Sequence, residues 1–151
     1  MCRQTLARLV MVGALIHAVA FSAGAVSLQD MKGFEALLGR YGPKGDCSKY
    51  PQVLIDARGM ALDHGQGKVE RATTLDYSAS FFGPEYEGDA HAFFPYMTDA
   101  GPNPLLVLVN DERPGSLRVE PHDYGWKGGP PMPARFQPWL AGSPYARCAA
   151  D

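Results

Sequence analysis

Three of the four histidines have an aspartate close by: His64 follows Asp63, His91 follows Asp89 by two residues, and His122 precedes Asp123. A carboxylate that orients an imidazole is the usual support for a metal ligand or a general base. No two of these histidines are within a few residues of each other, and no recognised zinc-ligand spacing occurs, so no metal site is expected. The acidic run Glu85, Glu87, Asp89 lacks the Asp-x-Asp-x-Asp-Gly order of a calcium loop and reads as a solvated turn.

Other chemistries find less support. There is no Gly-x-Ser-x-Gly elbow, and Ser143 sits in Gly142-Ser143-Pro144 rather than on a strand-to-helix turn. Glu70, Asp76, Glu85 and Glu87 could supply a carboxylate pair for glycoside hydrolysis, but nothing singles out two of them. Gly65-Gln66-Gly67-Lys68 lacks the first glycine spacing of a phosphate loop and the hydroxyl residue after its lysine. The sequence therefore implies no cofactor.

A surface is easier to find than a reaction. In the loop from His122 to Pro131, Tyr124 and Trp126 offer broad contact area at low entropic cost, and Lys127 supplies charge. His122 and Asp123 open the loop, and its glycines and prolines shape a backbone that a partner can approach closely. The same residues also suit an aromatic lid folded back on a sheet, and both readings stand. Tyr145 and Arg147, just before Cys148, form a second candidate patch, the arginine fork being suited to a carboxylate.

Compartment follows from the N-terminus and the cysteines. Arg3 and Arg8 lead into the apolar run Leu9 to Ala20, and Ala23-Gly24-Ala25 is a small-x-small cleavage signal, so residues 1–25 read as a secretory signal peptide. The run is shorter than the roughly 20 residues a bilayer core needs. Cys2 precedes it, so no lipobox stands at the cleavage site, and no stable membrane anchor is expected. Cleavage leaves Cys47 and Cys148, an even pair that reads as one disulfide in an exported chain, periplasmic or secreted. It also removes two of 14 basic residues, leaving 12 against 16 acidic ones. A mildly acidic chain without a basic block is a poor partner for nucleic acid.

The elements that must carry these residues are mostly strands. Leu105 to Val109 is apolar on both faces and suits a central strand; Leu117 to Glu120 alternates, and the turn between them makes a hairpin. Gln52 to Asp56, the half-exposed segment Lys68 to Phe82, and Ala90 to Met97 are further strand candidates, and Gly59 is placed to end or bend the first of these. Ser27, Asp30, then Met31, Phe34, Leu37, Leu38 and Gly39 follow the order of cap, apolar face and stop of a short covering helix. The proline-studded tail, Pro133 to Pro144, is expected to wrap the sheet rather than form a helix.

The resulting expectation is a single, mainly β exported domain over residues 26–151. It has a small antiparallel sheet or barrel, a covering N-terminal helix and a Cys47–Cys148 clamp. For function the sequence suggests a non-enzymatic binding protein with a protein partner in the cell envelope, in the format of a small inhibitor of an envelope hydrolase such as a lysozyme. That likeness is one of format and rests on no motif. The alternatives are a carrier of a small apolar ligand in a calycin-like barrel and a hydrolase using His122 and Asp123.

Overall fold

The computed structural model describes residues 25–80, 90–97, 104–110, 113–122 and 131–149. In chain order its strands are β1 (Val26–Leu28), β2 (Gly39–Pro43), β3 (Gln52–Asp56), β4 (Gly59–Asp63), β5 (Val69–Arg71), β6 (Thr74–Ser80), β7 (Ala90–Tyr96), β8 (Leu105–Asn110), β9 (Ser116–Pro121) and β10 (Tyr145–Arg147). One short helix, α1 (Gln137–Gly142), precedes the last strand. The strands form one curled, half-barrel sheet in the order β1-β6-β7-β8-β9-β10-β2-β3-β4-β5, with every pairing antiparallel. The mainly β expectation and the disulfide are thus observed. Among the described residues no helix is long and apolar enough to cross a membrane.

Among the described residues the sheet comprises two meanders, β6 to β9 with β1 along β6, and β2 to β5, joined in two places. On one side β10 pairs with β9 and with β2. On the other, β5 runs into β6 through Ala72 and Thr73 alone. The Ala72 amide donates to Met60 O of β4 (3.0 Å), whereas the Thr73 amide donates to Tyr96 O of β7 (2.8 Å). Successive amides of an extended chain point to opposite edges. One continuous segment therefore ties β4 to β7.

Alternation sets which side chains face inward. Val53 and Ile55 of β3, Leu105, Val107 and Val109 of β8, and Leu117 and Val119 of β9 are all buried. Arg118, between the last two, is exposed. The hairpin registers Val107 with Val119 and Val109 with Leu117, so same-face apolar pairs meet directly. Strands β2 and β4 have no matching sequence expectation, and β4 is buried at every residue. Gly59 does bend the chain after β3: with φ +121 it stands opposite Asp56 at the hairpin turn. The expected strand over 68–82 is divided into β5 and β6.

The covering N-terminal helix does not form. Ser27 pairs with Asp76 in β1, the Asp30 carboxylate accepts the Lys32 amide (3.0 Å), and Gly33 takes φ +89, outside any right-handed helix. A single 3-10 turn, Glu35–Leu37, is all that remains. The apolar positions are nevertheless buried as their spacing implies, Met31 fully and Phe34, Leu37 and Leu38 in part against the core. A local hydrogen-bonded turn at Asp30 and a glycine in the left-handed region override the helical periodicity.

The tail differs in the opposite direction. Residues Ala134–Phe136 and Gln137–Gly142 form a 3-10 turn followed by α1, with Pro138 in the first helical turn, where a missing amide costs nothing. Phe136 and Trp139 fill the interior and β10 then enters the middle of the sheet. Gly42 makes this junction possible, because a Cβ there would stand 2.7 Å from the Asp46 carbonyl oxygen.

Across the outer edge, Asp56 of β3 accepts two bonds from the Arg71 guanidinium of β5 (3.0 and 2.6 Å) and one from the Arg58 amide (2.9 Å). Burial pushes this carboxyl up, but the Arg71 and Arg58 bonds and charges outweigh it and hold its pKa below the ordinary value. The linked stability is present above the unfolded-state value of about 4 and is lost as pH falls through the folded one. Because the pair is partly solvated, Asp56→Asn should cost no more than about 1 kcal/mol at neutral pH. It should also flatten the acid limb of stability, as urea melts between neutral and acid pH would record.

Candidate functional site

His122 directly follows β9; its amide donates to Pro104 O (3.0 Å) and its half-buried ring packs on Phe94, 5.2 Å between centroids. Asp123, Tyr124, Trp126 and Lys127 lie outside the described residues. On the far side of the loop Met132 packs against the core. His122 and Met132, on either side of the candidate loop, thus both contact the folded body.

The second candidate patch is structural in its contacts. Tyr145 is fully buried, stacks on Trp139 at 6.4 Å and donates its hydroxyl to Trp139 O (3.0 Å). Burial pushes that hydroxyl's pKa well above the ordinary tyrosine value. Tyr145 thus presents no surface to a partner. Arg147 is exposed, but its guanidinium donates to Tyr41 Oη from Nε (3.3 Å) and Nη2 (2.9 Å) and also to the Ala36 carbonyl. It braces the 3-10 turn against β2, which sequence spacing alone did not indicate.

The histidines have separate surroundings. His64 Nε2 stands 3.5 Å from Glu70 Oε2, and Glu70 Oε1 accepts Arg135 Nη1 at 3.0 Å. Its neighbour Asp63 is turned to the Gly65 amide (2.8 Å) and Arg40 (3.7 Å). His91 Nδ1 and Tyr77 Oη share a hydrogen bond at 2.9 Å, and Phe34 packs edge-on to both rings. Among the described residues no group of three potential ligands could hold a metal ion. Of the four carboxylates considered for hydrolysis, Glu85 and Glu87 are outside the described residues. Glu70 is engaged as above, and Asp76 lies beside Tyr96, whose pKa is raised first by burial and then by that charge.

One cavity of about 270 Å³ is formed by segments that no motif connects: the end of β1, the β3–β4 turn and the start of β6. Its polar lining comes from Ser27, Gln29, Asp30, Arg58, Thr73 and Thr74. Asp30 is bonded to the Lys32 amide and Arg58 reaches Asp56 at 3.4 Å, so both charges are already engaged. None of the residues expected to form the site lines this cavity. No sequence signal could have found it, because it exists only where three separate turns meet.

Comparison with protein-family models, curated proteins and solved structures returns no match for this chain.

Proposed function

We propose that the mature chain is a non-enzymatic exported binding protein, acting as a small inhibitor of a cell-envelope hydrolase of the lysozyme type, with the His122 to Pro131 loop as its contact surface. The observation that carries this reading is the pair of contacts on either side of the loop: His122 with Pro104 and Phe94, and Met132 against the core. A loop rich in aromatics gains most from such a mount, because a rigid scaffold reduces the ordering entropy that opposes binding. The mildly acidic mature chain favours a cationic partner surface, with Lys127 as a local exception that would pair with a carboxylate.

The test is a pull-down from envelope extract with the mature, oxidised protein beside Trp126→Ala. Loss of a hydrolase from the variant's eluate, with affinity reduced by about 2 kcal/mol or more, is the expected result, since buried tryptophans dominate such interfaces. An unchanged affinity would remove the loop from the interface. Recovery of only a small apolar molecule, indifferent to the substitution, would replace the inhibitor reading with that of a carrier.

A further inference from the structure

The last strand of the chain sits in the middle of the sheet. β10 is three residues long, yet it alone pairs β9 with β2 and so joins the two meanders on that side. Neighbouring strands within each meander are consecutive in sequence, whereas β10 stands between β9 and the sequence-distant β2. A strand of three residues makes few ladder bonds and opens easily unless tied down. Here the tie is the Cys47–Cys148 disulfide, one residue beyond the strand, supported by the Cys148 amide bonded to Arg40 O (2.7 Å). Cys47 is exposed and Cys148 half-exposed, so a reductant can approach the bond.

We infer that this disulfide is a thiol-controlled latch: its reduction by a dithiol lets β10 leave the sheet and exposes the facing edges of β9 and β2, while each meander stays folded. In the exchange the dithiol gives up two electrons and two protons and becomes a disulfide; Cys47 and Cys148 each become a thiol. The opening is sub-global because, among the described residues, what must break is the short β10 ladders, the Arg147 and Cys148 amide bonds to Gly115 O and Arg40 O, and the Tyr145 and Arg147 side-chain contacts. The β8 ladders to β7 and β9 involve none of these residues. The proposal does not depend on the inhibitor reading.

The test is amide hydrogen exchange on the oxidised protein, on the protein held in excess dithiothreitol, and on Cys47→Ser/Cys148→Ser. The reporters are the Arg147 amide, bonded to Gly115 O at 2.7 Å, and the backbone amide of position 148, read against the β8 amides of Leu106 to Val109. Loss of the crosslink lowers global stability as well, so the informative quantity is the ratio of protection between the two groups. The latch predicts that this ratio falls at least about tenfold on reduction and equally in the variant, which dithiothreitol leaves unchanged. A ratio that stays constant while all amides accelerate together would make the bond a source of global stability only and overturn the latch. Loss of the sheet as a whole on reduction, seen by circular dichroism, would overturn it too.

Discussion

Trp139→Ala is expected to lower the unfolding free energy by about 3–5 kcal/mol, the range for truncating a large buried aromatic. Trp139 is fully buried and stands among the largest buried side chains of the core. It stacks on Tyr145 and meets the His64 ring edge-on at 5.3 Å. A buried tryptophan removes about 150–250 Å² from water, worth roughly 4–6 kcal/mol at about 25 cal/mol per Å². Against this stands its indole N–H, buried and without a hydrogen-bond partner among the described residues. Such a donor costs about 1–3 kcal/mol. Burial wins, but the margin makes a second result informative: Trp139→Phe keeps most of the apolar volume, removes the unmatched donor and should lose clearly less than alanine. Urea denaturation of the three proteins, with unchanged slope, is the measurement. Equal losses for phenylalanine and alanine would mean that shape alone decides this site.

Removal of the disulfide is the second large effect. Cys47 and Cys148 are 101 residues apart in sequence and 5.7 Å apart between Cα atoms. Closing a loop of that length restricts the unfolded chain by about 4–5 kcal/mol in the chain-entropy model. Cys47→Ser/Cys148→Ser is therefore expected to cost about 2–5 kcal/mol, a substantial part of the roughly 5–15 kcal/mol that holds an ordinary domain together. The variant and the reduced parent should melt alike in urea, since both lose the same restraint. A loss below about 1 kcal/mol would show that the unfolded chain is already compact around these residues. Cys148 lies three residues beyond Tyr145, whose ring contacts Trp139. The tryptophan and cysteine effects should thus fall short of or exceed simple addition.

The contrast between the two termini explains how much of the molecule is legible in its residues. Alternation over Gln52 to Asp56 and Leu117 to Glu120 reports which side of each strand is buried, the two-faced apolar run Leu105 to Val109 marks a central strand, and these strands, with the one from Ala90, appear where the residues place them. The disulfide follows once Cys2 is set aside with the expected leader, because the two cysteines that remain, Cys47 and Cys148, make a pair, and the structure joins them. The segment from Ser27 to Leu38 misleads because helical spacing and a strand, turn and 3-10 turn can bury the same residues, Met31 and in part Phe34, Leu37 and Leu38. Gly33 and the pairing with β6 choose between them.

For the candidate site, the sequence by itself picks out His122, Asp123, Tyr124, Trp126, Lys127, Tyr145 and Arg147 as residue types able to contact a partner, and of these His122, Tyr145 and Arg147 are among the described residues. Only the tertiary structure turns Tyr145 into the core, commits Arg147 to Tyr41 and Ala36, and seats His122 on Phe94. Local pattern records whether a position tends to be buried; it carries no record of which distant strand lies beside it. The sequence alone therefore determined the β class and the single crosslink. The insertion of β10 between β9 and β2, the cavity between three turns and the fate of each exposed-looking side chain were decided by long-range pairing between residues that can be more than a hundred positions apart.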